Sequence, residues 1–284
     1  MKKIHIVGLG LLGGSFALVV KKNRPDLVLT GYDQNPQHLE QALALGMISE
    51  AKETPDADTD VVVLATPVDT LTSLLEETLA NTGDRTLVFD FGSTKELICE
   101  KVANNPKRAN YLAVHPIAGT ENSGPKAAEL NLFDGKVMII CEMEKTDVHL
   151  KGMAYELFEL MNMKLRFMDP KDHDLHLAFV SHLSHVTSFM LGKTVLDKTA
   201  DERHIFDMAG SGFASTVRLA KSSPAMWAPI FIENRKNLLE AMDSYISHMQ
   251  QFRDKIAAED YQGLTEEMVE ANKIRDILDL EKGK

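Results

Sequence analysis

Five side chains in this 284-residue sequence have the types and settings that acid–base and anion chemistry require: His115, Ser93, His182, His185 and Arg218. His115 follows the apolar run Tyr111-Leu112-Ala113-Val114 and precedes Pro116, which fixes the backbone as the chain leaves a strand. A histidine at such an exit, with a pKa near neutrality, is suited to take a hydroxyl proton; the other reading is a loop histidine bonded to backbone. Ser93, in Phe91-Gly92-Ser93-Thr94-Lys95, reads either as a reactive-site hydroxyl or as the N-cap of the next helix. His182 and His185 stand at i and i+3 on one helix face. The pair lacks the glutamate of an HExxH motif and any third ligand, so no metal is expected, and the two histidines are read as lining a polar pocket. Arg218, between Val217 and Leu219, is read as partly buried beside a carboxylate; a surface salt bridge to Glu121 or Asp207 is the alternative. His173 and His176 read as solvated residues, and Trp227, the only tryptophan, as a core anchor between helices.

The elements that must position these groups begin with the first thirty-odd residues. Ile4-His5-Ile6-Val7 leads into Gly8-Leu9-Gly10-Leu11-Leu12-Gly13-Gly14-Ser15, an apolar helix follows, and a second strand ends at Asp33. A bare GxGxxG is weak, but strand, glycine turn, helix and an acidic residue twenty positions after Gly13 together predict a dinucleotide-binding βαβ unit. Gly8 serves the tight turn, Gly10 the approach of a pyrophosphate and Gly13 the packing of helix on strand. Leu11 and Leu12 then lie at the helix N-terminus that faces the phosphates. Asp33 would accept from ribose hydroxyls and repel a 2′-phosphate, which predicts NAD as the cofactor.

Further strands are expected over residues 60–67, 86–90, 111–114, 136–141 and 164–167, most as continuous apolar runs of the kind buried on both faces of a parallel sheet. Ligands of such sheets bind beyond the carboxyl ends of the strands, so the Gly8 turn, Thr66-Pro67, Ser93 and His115 are expected to meet in one crevice. Asn35-Pro36 and Asp69 are expected to start helices. From Asp169-Pro170 onward only helical periodicity remains. Asp169 or Asp172 caps a long helix with an apolar stripe of Leu175, Phe179, Leu183, Val186 and Met190, and later helices are expected near 214–220, 226–247 and 254–280. The fold class expected is an α/β Rossmann-type dinucleotide-binding domain, 1–168, followed by an all-α domain, 169–284, for substrate binding and dimerisation.

Composition excludes several classes of function. A formal net charge of −11 argues against general binding of nucleic acid or anionic membranes, and no apolar run approaches the length of a membrane span. No signal peptide is recognisable, so a cytoplasmic location is expected. Cys99 and Cys141 lack CxxC spacing and read as buried, inert fillers.

With these residues in hand, the chain resembles the prephenate dehydrogenase family. The resemblance rests on GLGLLGGS at 8–15, ATPV at 65–68, DFGSTK at 90–95, HPIAGTENSG at 115–124, SHLSH at 181–185 and GSGFASTVRLAKSSPAMWAPIFIENRKN at 210–237. It implies a Rossmann domain joined to a helical dimerisation domain, and NAD-dependent oxidative decarboxylation of prephenate, or of arogenate, in tyrosine biosynthesis. It places the catalytic histidine at His115, a serine at Ser93, the substrate-binding histidine pair at His182 and His185, the substrate-carboxylate arginine at Arg218 and an acidic residue at the pocket mouth at Glu121. The expected partners are a small-molecule substrate and a second copy of the chain, with no fused chorismate mutase ahead and no ACT-type domain behind. Competing readings are another two-domain hydroxyacid-type NAD(P) dehydrogenase and an NAD-sensing binding protein without turnover.

Overall fold

Runs of β-branched and aromatic residues that have no polar face must be covered on both sides, and they form the middle of one sheet. The computed structural model describes residues 1–199 and 204–282. Its strands are β1 (Lys3–Val7), β2 (Val28–Tyr32), β3 (Glu50–Ala51), β4 (Val61–Leu64), β5 (Leu87–Asp90), β6 (Tyr111–Ile117), β7 (Val137–Cys141) and β8 (Lys164–Met168), in the order β3-β2-β1-β4-β5-β6-β7-β8. All pairs are parallel except β6 with β7. Residues 61–64 show why the runs are continuous: Val61 and Val63 enter one apolar cluster with Phe16, Phe89 and Phe158, while Val62 and Leu64 enter a second with Leu71, Leu75 and Tyr111.

Two strand details depart from the expectations. β3 is a two-residue edge with no apolar run to announce it. β6 continues through Ile117, so His115 lies within the strand, opposite Ile139 of β7, and not in the loop beyond it. Pairing with an antiparallel neighbour carries the strand past the point where its apolar run ends.

The helices around the sheet are α1 (Leu11–Asn23), α2 (Pro36–Ala44), α3 (Val68–Asn81), α4 (Glu96–Lys101) and α5 (Val148–Leu160). Asn35 caps α2 as expected, its side chain accepting from the Gln37 N–H with Pro36 in the first turn. Asp69 does not cap α3; it lies in the first turn, after Pro67, where its charge faces the helix N-terminus. Cys99 and Cys141 are free and buried, and burial pushes the Cys141 thiol up to about 12 and the Cys99 thiol higher still.

The same compact unit, Met1–Arg235, continues into α6 (Pro170–Leu177), a π-helical turn (Ala178–His182), α7 (Leu183–Thr199), α8 (Ser211–Thr216), a 3-10 turn (Arg218–Lys221) and α9 (Pro224–Glu233). Asp169 caps α6 by accepting from the Lys171 N–H. The face of this helical run that packs inward is unlike the expected stripe: His173, Asp174, Leu177, Ala178 and His182 are buried, whereas Phe179 and Met190 are exposed. On that face Asp174 accepts from the N–H groups at the start of α4, His173 meets His115 of β6, and Leu177 and Ala178 supply the apolar part.

The second unit, Lys236–Lys284, holds the rest of α10 (Arg235–Ala257) together with α11 (Tyr261–Asn272) and α12 (Ile274–Lys282). The expected helix over 254–280 is broken where Glu259 takes a positive φ of 55° and Asp260 caps the next helix through the Gly263 N–H. No helix among the described residues is long and apolar enough to cross a membrane.

Candidate active site

The carboxyl ends of β1, β4 and β5 lie side by side, and the glycine turn is shaped by that proximity. Gly8 has φ 91°, and a Cβ there would stand 2.4 Å from the Ala65 carbonyl oxygen; at Gly13 it would stand 1.9 Å from the Gly8 carbonyl oxygen. These two glycines are forced by the protein itself. Gly10 is different: its φ is −72°, and a Cβ would meet nothing within 4 Å. The open space lies at the N-terminus of α1, which no side chain caps, so unpaired N–H groups of Leu11, Leu12 and Gly13 are available to an anion. Asp33, beyond the end of β2, accepts from the Leu9 and Asn35 N–H groups at 2.9 Å each, which fixes its carboxylate beside the turn. Thr66, at the end of β4, keeps a buried hydroxyl without a protein partner, and exposed Pro67 follows it. An open cradle, an uncapped helix, a fixed carboxylate and an orphaned hydroxyl are what a dinucleotide needs from this edge.

At the exit of β5 the fixing element is a buried ion pair. Asp90 accepts from Lys95 Nζ, from the Gly92 N–H at 2.8 Å and from the Tyr111 hydroxyl at 2.6 Å. Lys95 is wholly buried in this pairing and so is not available to bind an anion. Ser93 is half-buried between the paired residues. It does not cap α4. That role falls to Asp174, whose carboxylate accepts from the Lys95 N–H at 2.7 Å and the Glu96 N–H at 2.9 Å. The helix-cap reading of Ser93 is thereby removed.

His115 is not bonded to backbone. Its Nδ1 lies 3.0 Å from His173 Nε2, and His173 Nδ1 lies 2.7 Å from Asp174 Oδ1. All three side chains are buried. Burial pushes the His115 pKa well below 6.5, with His173, Lys95 and His182 adding to the depression, so the ring is a neutral base in place of the near-neutral titrating group expected. His182, in the π-helical turn, is held by Asn234, whose Nδ2 donates to the Asp174 carbonyl at 2.7 Å and lies 3.1 Å from His182 Nδ1. A carbonyl can only accept, so the Asn234 amide presents its nitrogen. His182 Nδ1 must then accept, and its Nε2 carries the proton. His185 Nδ1 donates to the Ser181 carbonyl at 3.0 Å, which leaves its Nε2 unprotonated in the neutral ring. Burial lowers both histidines, His182 to about 4.

Trp227 is the core anchor expected, and also a platform: His185 stacks on it with centroids 3.4 Å apart, and His182 meets it edge-on at 5.9 Å. With Val68 and Ile230 it packs α9 against α3. Arg218 is more exposed than its neighbours suggested, at 55% of its side chain, and its described partner is Glu121 Oε2 at 3.3 Å. The Ser188 hydroxyl donates to the Thr216 carbonyl and accepts from the Ala220 N–H, bracketing Arg218 from α7. The Arg218 cation depresses His185 and the His182 ring depresses His115, so electrostatic neighbours run from His115 through His182 and His185 to Arg218. The structure thus links four of the five chemistry-bearing side chains, and Ser93 lies in the segment between Asp90 and Lys95 at the carboxyl end of β5. Sequence reasoning missed His173 and Asp174. The available signal was a buried face, 173, 174, 177, 178, that repeats at helical period but is half polar.

Among described residues, no group of three or more histidine, cysteine or acidic side chains is placed to hold a metal ion. Models of two families match the chain: prephenate dehydrogenase, nucleotide-binding domain, over residues 16–167, and prephenate dehydrogenase, dimerization domain, over 169–270. A prephenate dehydrogenase of Bacillus subtilis is 31% identical over 287 residues, covering 98% of this chain and 76% of that one. A cyclohexadienyl dehydrogenase of Zymomonas mobilis is 28% identical, covering 96% and 95%. Among solved structures, that of prephenate dehydrogenase from Aquifex aeolicus in complex with hydroxyphenyl propionate and NAD+ matches with a TM-score of 0.89 at 31% identity, covering 98% of each chain.

Proposed function

The chain belongs to the prephenate dehydrogenase family, and from that premise we propose that it carries out the NAD-dependent oxidative decarboxylation of prephenate to 4-hydroxyphenylpyruvate in tyrosine biosynthesis. The observation that carries the proposal is the neutral, buried His115 with Nδ1 already engaged, which leaves Nε2 for a substrate hydroxyl proton. In this reading His115 Nε2 takes that proton while Ser93 hydrogen-bonds the same oxygen or the imidazole. When bound, NAD supplies the acceptor for the hydride that leaves the hydroxyl-bearing carbon. The glycine turn with Gly8, Gly10, Leu11, Leu12 and Gly13, and the residues Asp33, Thr66 and Pro67, would hold it. Loss of CO2 aromatises the ring and drives the reaction, so the protein has to supply orientation, one base and anion recognition.

Anion recognition is assigned to Arg218, which has the planar donor pair that a carboxylate accepts, with Glu121 as the partner it exchanges for substrate. His182 offers an Nε2–H, and His185 an Nε2 lone pair on the Trp227 face. The functional division is proposed at 168/169, supported by the two family matches that meet there. A cytoplasmic homodimer is part of the proposal. Supporting the dimer are the dimerization-domain match and the exposed Ile246, Met249, Ile277 and Leu278 on α10 and α12.

Absorbance at 340 nm on mixing the protein with NAD+ and prephenate tests the proposal, and arogenate in a parallel cuvette tests its substrate. Reduction with prephenate is expected. Reduction with arogenate alone would move the assignment to arogenate dehydrogenase, and binding of NAD+ with no reduction in either cuvette would overturn the enzymatic reading.

A further inference from the structure

We propose that Asp174 and His173 are positioning residues that set the tautomer of His115, so that its Nε2 is the nitrogen left without a proton. The inference rests on the reading of His115 as the base and adds the groups behind it. It follows from three hydrogen bonds taken in order. Asp174 lies where two backbone N–H groups, of Lys95 and Glu96, point at its two oxygens, so both oxygens accept and the carboxylate is fixed in direction at the start of α4. Oδ1, which takes the Lys95 N–H, acts as an acceptor, so the His173 nitrogen 2.7 Å from that same oxygen, Nδ1, carries a proton. The neutral His173 ring then has its lone pair at Nε2, which is the atom 3.0 Å from His115 Nδ1. That contact is a hydrogen bond only if His115 Nδ1 is the donor. One proton remains on His115, at Nδ1, and Nε2 is the acceptor.

The arrangement also determines where charge goes. When the substrate O–H bond breaks, its proton forms the new bond at His115 Nε2 and its electron pair remains with the oxygen as the carbonyl forms and hydride departs. The resulting imidazolium still donates from Nδ1 to His173, and the Asp174 carboxylate faces that charge across one ring. The groups that face this pair are His182 of the π-helical turn, Lys95 at the start of α4 and Asp90 at the end of β5. Lys95 is neutralised by Asp90 in the same buried cluster, so the carboxylate of Asp174 is the charge free to answer the imidazolium. Burial and the neighbouring His173, Lys95 and His182 make His115 a poor proton acceptor, and the Asp174 carboxylate behind His173 is the charge placed to oppose them. The same Asp174, through its carbonyl and Asn234, directs His182 to present an N–H, so one residue gives the two facing histidines opposite polarity.

The test begins on the unaltered protein with NAD+ bound. Nitrogen-15 shifts of the His115 ring are expected to show Nδ1 protonated and Nε2 unprotonated at pH 7.5; the reverse pattern overturns the proposal without any variant. Next, His173→Gln keeps the Asp174 cap on α4 while replacing the ring by an amide that does not titrate. Its kcat with prephenate is expected to fall roughly 10- to 150-fold, the weight of one hydrogen bond to a charged group, with KM and the Kd for NAD+ little changed. The acid limb of its kcat/KM profile should shift as well. Asp174→Asn should do the same and move the His115 proton toward Nε2. A His173→Gln protein with normal kcat and an unshifted pH profile sinks the relay. His115→Asn separates the two ideas: if it loses turnover while His173→Gln does not, the base stands and the relay falls, and if His115→Asn itself turns over normally, the base assignment has failed first.

Discussion

Substituting alanine at the three glycines of the first turn separates packing from ligand approach, and Gly10 is the informative position. At φ −72° an alanine is accommodated, and its Cβ would find no protein atom within 4 Å. Gly10→Ala should therefore leave folding intact, or stabilise it by about 0.4–1 kcal/mol through loss of freedom in the unfolded chain. The new methyl would project about 1.5 Å from the backbone into the space at the uncapped start of α1. A pyrophosphate seated there must retreat by a similar distance and give up at least one N–H···O− bond. Hydrogen bonds to charged groups carry roughly 1.5–3 kcal/mol, so NAD+ affinity is expected to fall about 10- to 150-fold. Gly8→Ala and Gly13→Ala make the contrast, because contacts of 2.4 Å and 1.9 Å with backbone oxygens must be relieved by moving the turn, and both should lower the thermal midpoint. Calorimetric titration with NAD+ and a thermal melt read the two effects apart. A Gly10→Ala protein that binds NAD+ within twofold of the unaltered one would refute the placement of the pyrophosphate.

Arg218→Ala should raise KM for prephenate strongly with a smaller effect on kcat and none on NAD+ affinity, and Arg218→Lys should recover only part; an unchanged KM would reduce Arg218 to a surface partner of Glu121. Asp33→Ser should narrow the preference for NAD+ over NADP+, and equal use of both by the unaltered protein would show the Asp33 assignment to be wrong. Stability should fall on acidification from pH 7 to 5. His115, His173 and His182 have folded-state pKa values below 6.5, so the unfolded chain binds the extra protons, and the stability present above pH 6.5 is lost as pH falls toward the folded values. For His182, lowered to about 4, the loss should approach about 1.4 kcal/mol per pH unit, with His115 and His173 adding in the same direction and Glu233, which burial raises, offsetting it in part. Denaturant curves of equal midpoint and slope at the two pH values would contradict the buried, neutral state of these rings.

The dinucleotide half was legible because its determinants are local. A βαβ turn has to bring backbone to within van der Waals contact of backbone, and only glycine at 8 and 13 permits that, so spacing alone carries the geometry. Strands buried on both faces likewise show themselves as unbroken apolar runs, and Asn35 and Asp169 cap the helices they precede. What lay outside the reach of sequence were features set by partners distant in the chain. The cap of α4 comes from Asp174, 79 residues away, which is why Ser93 kept a second reading and Asp174 had none. The strand through His115 is extended by β7. His173 looked solvated because polar residues at a helix start usually are, yet it is wholly buried. A polar side chain can be buried only where hydrogen-bond partners wait for it, and those partners, His115 and the carboxylate of Asp174, are assembled by the fold. Residue type and local spacing thus determined which groups could do chemistry, while tertiary structure decided their protonation, because a tautomer depends on what stands opposite each nitrogen.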